Sequence, residues 1–242
     1  MHEKVLFTRR SGQHMDESAL SSTSPFYTLD AFNGEWASHL VTAVEDAEGG
    51  NNTTWENFIT QYGDVAQRLK SQGIKMPESY ESIQWDPATL LFTVCVEITG
   101  DGRPLPLGDR LNRERFGRFP YGNGSALTYL LEYIRPNRSI TENDGQDIYD
   151  SIIDDLRMLS SGCTEQYRGH TLFESGFGGM CIQGYLSNEQ VRNLRKNLAT
   201  RTWTASYEEP LDGGVSDVAN HFITLLKAAE RRQVGVVLRS HS

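Results

Sequence analysis

Cysteine is scarce in this chain. Cys95, Cys163 and Cys181 are the only three in 242 residues; they are odd in number, irregularly spaced and without a Cys-x-x-Cys pair, which excludes a secreted disulfide framework. A reducing compartment is therefore expected, and with it a cytoplasmic location. Long apolar runs are also missing. No stretch approaches the roughly 20 residues of a membrane span, and the opening MHEKVLFTRR has no signal-peptide core, so no membrane association is expected. Base is in deficit, with 23 Lys and Arg against 32 Asp and Glu and a formal charge of -9. Neutralising a nucleic-acid backbone needs a surplus of cations, so general nucleic-acid binding is not expected, and a basic protein partner fits the balance better. His-Glu-x-x-His, Gly-x-Ser-x-Gly and a closed phosphate-binding loop are all absent. Neither a metal nor a cofactor is expected, and an enzyme is the less favoured class.

What is present reads as a helix-rich α+β protein: one globular domain over residues 31–242 with a small sheet of three to five strands. A Ser-rich irregular arm is expected over residues 1–30, where apolar periodicity is weak. Residues 34–73 show two apolar stripes at helical spacing, Trp36, Leu40, Val41 and Val44 and then Trp55, Phe58, Ile59, Tyr62, Val65 and Leu69. They form a helical hairpin that can pack as a subdomain. The run LLFTVCVEI, residues 90–98, is β-branched and nearly continuous, which predicts a buried strand with Cys95 as packing. The proline- and glycine-punctuated stretch 103–124 predicts a long irregular connection of the kind that carries function. Helices follow at 125–135, through the acidic segment 142–155, at 188–198 and around Val218–Ala229, and QVGVVLR closes as a strand.

The glycine-rich SGFGGMCIQGYLS, residues 175–187, has the wrong order for a phosphate cradle. Its clustered glycines precede an apolar strand, and the helix begins only after Ser187. Ser187 and Gln190 instead form a capping box, with Leu186 and Val191 as the accompanying hydrophobic staple. The positions Gly184, Tyr185, Leu186, Ser187, Glu189 and Val191 resemble the strand-to-helix signature of the YfbM-like group of uncharacterised bacterial proteins. The closing HFITLLKAAERRQVGVVLRS is similar to the final helix and strand of that group. The likeness spans roughly residues 121–240 and implies a compact α+β bacterial protein of the immunity or accessory kind, one that associates with a basic toxin or effector. It carries over no catalytic residue.

Two constellations stand out for function. Asp147, Asp150 and Asp154 recur at i, i+3 and i+7, with Asp155 beside them, and offer a carboxylate face to a basic partner. Arg110, Arg113, Arg115 and Arg118 interleave with Phe116, Phe119 and Tyr121, a combination suited to an anion site for a phosphate-bearing small molecule. Internal pairing of these arginines with the acidic helix is the competing expectation. Two lesser pairs are Asp217 with His221, at helical i, i+4 spacing, and Cys163 with His170.

Overall fold

A computed structural model describes residues 26–99, 103–137, 144–164, 171–200 and 202–241. Most of the expected arm, along with Glu142 and His170, lies outside the described residues.

The centre is a three-stranded antiparallel sheet of order β1-β5-β3. Strand β1 is Phe26–Phe32, β3 is Met180–Leu186 and β5 is Gly235–His241. Residues 26–30 therefore belong to the sheet and not to the arm. FYTLDAF alternates between two faces, so pairing with β5 buries it on both sides. Phe26 lies opposite His241 and Phe32 opposite Gly235. On the other side of β5, Met180 lies opposite His241, and a register shift between Ile182 and Gly184 places Tyr185 opposite Val237.

Alternation along the strands splits the core in two. One face presents Phe32, Ile182 and Val237 to the helices of the first half of the chain. These are α1 (Gly34–Glu48), α2 (Thr53–Gln61), α3 (Gly63–Ser71) and α4 (Pro87–Cys95). The other face presents Leu29, Ala31, Val236 and Leu238 to the second half. Its helices are α5 (Arg110–Gly117), α6 (Ala126–Tyr133), α7 (Asp144–Ser161), α8 (Asn188–Leu198) and α9 (Gly214–Arg232). The result is helices on both faces of a sheet whose strands come from opposite ends of the chain. A two-stranded ribbon of β2 (Ile134–Pro136) and β4 (Trp203–Ala205) extends from α6.

Two helices replace expected non-helical segments. The apolar run at 90–98 starts as α4: Asp86 accepts a bond from the Thr89 amide at 2.7 Å, and Pro87 occupies the first turn. An aspartate cap with proline at N1 is a strong helix start, and it decides the state of a segment that is apolar all round. Its Cys95 is buried as expected. The connection at 103–124 contains α5, opened in the same way by Asp109, whose side chain accepts from the Asn112 amide at 2.9 Å. The second stripe of the hairpin is cut at Tyr62, whose ψ of 71° separates α2 from α3.

The capping box at α8 is formed in full. Ser187 Oγ accepts from the Gln190 amide at 3.2 Å, and Gln190 Oε1 accepts from the Ser187 amide at 3.0 Å. The glycine that the sheet needs most is Gly235. A Cβ there would lie 2.2 Å from the Leu186 carbonyl oxygen and 3.0 Å from that of Phe32, so only a hydrogen fits between the neighbouring strands.

Candidate functional site, a cavity between the sheet edge and an arginine helix

β1 is an edge strand, and the chain covers that edge. Isolated bridges join Asp30 to Pro106 and Phe32 to Val96, and α5 closes the remainder. α5 can come this near because Gly117 ends it: a Cβ there would meet the Tyr27 carbonyl oxygen at 2.5 Å. Phe116 stacks on Phe222 of α9 with ring centroids 5.4 Å apart, and Arg118 lies over the Phe26 ring at 5.1 Å. These contacts fix the helix against both the strand and α9.

Between β1 and α5 a cavity of about 450 Å³ remains, within the range of roughly 300–1,000 Å³ usual for small-molecule sites. Its walls are largely apolar, with Tyr27, Leu29, Phe116 and Leu225 among them. The charged residues lining it are Arg110, Arg113 and Glu114 from α5, and Asp30 and Arg239 from the sheet.

Not all of that charge is free. Arg239 is 6% exposed and Asp30 7%. Arg239 Nε donates to Asp30 Oδ2 at 2.7 Å, and its second nitrogen lies 2.6 Å from the same oxygen. The guanidinium also sits 4.5 Å over the Phe92 ring and 3.3 Å from His241 Nε2. Burial, and the nearby Arg239 charge, push the His241 pKa down despite Asp30, which keeps the imidazole neutral near pH 7. The sheet side is thus a closed pair of zero net charge.

On α5, Arg110 Nε donates to Glu114 Oε1 at 2.6 Å, an exposed i, i+4 pair. Arg113 differs: one of its nitrogens donates to the Gly108 carbonyl at 2.6 Å, and among the described residues it has no ion-pair partner. Among the described residues the cavity therefore carries about one uncompensated positive charge. Thr28 Oγ1, on a strand residue that also lines it, is buried without a hydrogen-bond partner among the described residues.

The four arginines do not act together. Arg115 and Arg118 line a separate cavity of about 590 Å³ that includes Leu211, Asp212 and Asp217. His221 is a clasp between α5 and α9, with Nδ1 2.6 Å from Asn112 Oδ1 and Nε2 3.3 Å from Asp217 Oδ1. The spacing argument found the Asp217–His221 pair, but Asn112 takes the other nitrogen and draws the ring into the helix contact.

The arginines do not pair with the acidic helix either. α5 packs against β1 and α9, whereas α7 packs against β3 and α8 at the opposite edge of the sheet. Among the described residues no ion pair links them. Asp147, Asp150 and Asp154 are exposed on α7, where Asp150 accepts from Gln146 at 2.8 Å. Asp155 leaves that face. It is half-buried beside Gln190, and burial raises its pKa to about 6, with Asp154 adding to the rise and the bond from Gln190 opposing it. Cys163 is buried, its amide donating to the Gln183 carbonyl at 2.8 Å.

A larger cavity of about 840 Å³ opens where α1 and α8 begin, lined by Glu35, Arg68, Glu97 and Glu189 among others. Glu97 is held by Arg232, and Arg68 donates to the Val96 carbonyl. Two first-turn glutamates facing it make a poor setting for an anion.

Among the described residues no cluster of three or more His, Cys, Asp or Glu is placed to hold a metal, and no helix is long and apolar enough to cross a membrane. The cavity walls were not legible in advance, because Tyr27 and Leu29 fell in or beside the expected arm and nothing local in the sequence ties Leu225 to them. In comparisons with known proteins, no family model, no curated protein and no solved structure matches the chain.

Proposed function

We propose that the protein binds a small anionic molecule in the cavity between β1 and α5. The observation that carries this reading is Arg113, a guanidinium without an ion-pair partner among the described residues, at an apolar cavity whose remaining charges are neutralised in pairs. Hydrogen bonds to a charged group contribute about 1.5–3 kcal/mol, and a guanidinium can make two to one oxyanion. Arg113→Gln removes the charge while keeping a polar side chain. It should weaken binding of an anion about ten- to hundredfold in isothermal titration calorimetry against acetate, octanoate, inorganic phosphate, octyl phosphate and AMP. If none of the five binds, or if binding is the same in the variant, the reading is refuted.

A second reading is an acidic docking face for a basic protein, as the YfbM-like resemblance implies. It is supported by Asp147, Asp150 and Asp154, which are exposed on α7 and face no arginine from α5. Replacing all three by Asn should lower the salt concentration that elutes the chain from a column of a lysine-rich polypeptide more than replacing three exposed acids elsewhere does, and an equal shift would reject it.

A further inference from the structure

Resting on the anion-binding reading, we infer a ligand class for the same cavity: a singly charged oxyanion head on an apolar body, such as a medium-chain or aryl carboxylate. Three features lead there.

The first is the charge count. Asp30 and Arg239 cancel each other, and so do Arg110 and Glu114, which among the described residues leaves the single charge of Arg113. A monoanion balances that charge. A phosphate monoester or a nucleotide brings two or more negative charges, and the surplus would face the carboxylates of Glu114 and Asp30. The second is the distribution of polar groups. Arg110, Arg113 and Glu114 all come from α5, while Tyr27, Leu29 and Leu225 approach from the sheet and α9 as buried hydrophobic residues. A head held at α5 therefore places most of the ligand against hydrocarbon, where the polar groups, the Thr28 hydroxyl among them, are few against the several hydrogen bonds that a base and a sugar need. The third is the other side of the cavity. The guanidinium of Arg239 is occupied by Asp30, His241, the Met180 sulfur at 3.6 Å and the Phe92 face, so it offers a charged head no second anchor.

Ligand chain length tests this without altering the protein. Each buried methylene strengthens binding by up to about fourfold, so octanoate should bind the wild-type chain at least about a hundredfold more tightly than acetate, and at least as tightly as octyl phosphate. Arg113→Gln, first shown by circular dichroism to melt like the wild type, should weaken octanoate about tenfold or more. Binding of acetate, inorganic phosphate or AMP as tight as that of octanoate, and lost in Arg113→Gln, would overturn the ligand class and leave the anion site standing. Octanoate binding that ignores Arg113 would overturn both, as would no binding of any probe at millimolar concentration.

Discussion

Asp30 and Arg239 lie 209 residues apart in the chain and meet in the middle of the sheet. Both are buried, and both bonds of the pair converge on one carboxylate oxygen. At an effective dielectric of about 20, unit charges about 4 Å apart attract by about 4 kcal/mol, and a cation stranded by loss of its partner adds the cost of leaving water. Asp30→Ala should therefore cost about 3–5 kcal/mol, and Arg239→Ala a similar amount, with the stacking on Phe92 also lost. For a chain of this size that corresponds to a fall in Tm of about 6–20 °C. The double substitution Asp30→Leu with Arg239→Met replaces both charges by apolar groups and should return to within about 2 kcal/mol of the wild type. Urea denaturation of the wild type and the three variants makes the comparison. If the single variants each cost under about 1 kcal/mol, or if the double variant costs their sum, the pair is not the enclosed unit described and the neutral wall of the cavity loses its basis.

Gly235→Ala places a Cβ between two carbonyl oxygens of neighbouring strands, so the sheet must part to admit it. A loss of about 3 kcal/mol or more is expected in a denaturant titration, and a midpoint matching the wild type would contradict the strand spacing. At Asp155 the folded pKa of about 6 exceeds the ordinary 3.8. Its contribution to stability is thus fully present below about pH 4 and is lost as the pH rises through about 6. The full difference amounts to about 3 kcal/mol, and solvent at this half-buried position reduces it to about 1 kcal/mol. Asp155→Asn should match the wild type in thermal melts at pH 4 and exceed it by a few degrees at pH 7; equal melting temperatures at both values would refute the assignment.

The parts of the fold that are local in cause could be read in advance. The capping box at Ser187 and Gln190, the aliphatic strand after α9 and the helix-rich α+β class all follow from short-range rules. The run at 90–98 shows where such rules fail, because a segment whose side chains are nearly all apolar has no hydrophobic period to display, although in the fold Phe92 and Thr93 are only half-buried. The discriminating signal was the Asp86-Pro87 start just before it, and the Asp109 cap of α5 was a second signal of the same kind. The site divides in the same way. Arg110 and Arg113 stand out in the sequence as a cluster with Arg115 and Arg118, and the fold separates the two pairs because residues spread around one short helix and its C-terminal end cannot all face one cavity. The partnership of Asp30 with Arg239 has no sequence trace at all, since it depends on the first and last described strands becoming neighbours.

That neighbourhood has a mechanical side. Phe26 is paired with His241, and β1 runs antiparallel to β5. Tension between residues 26 and 241 would therefore act at one end of the ladder and load its hydrogen bonds one after another, as a zip opens, instead of sharing the force among them as shear would. A fold closed chemically by a buried ion pair and a glycine without room for a methyl group is, along this one axis, built to peel.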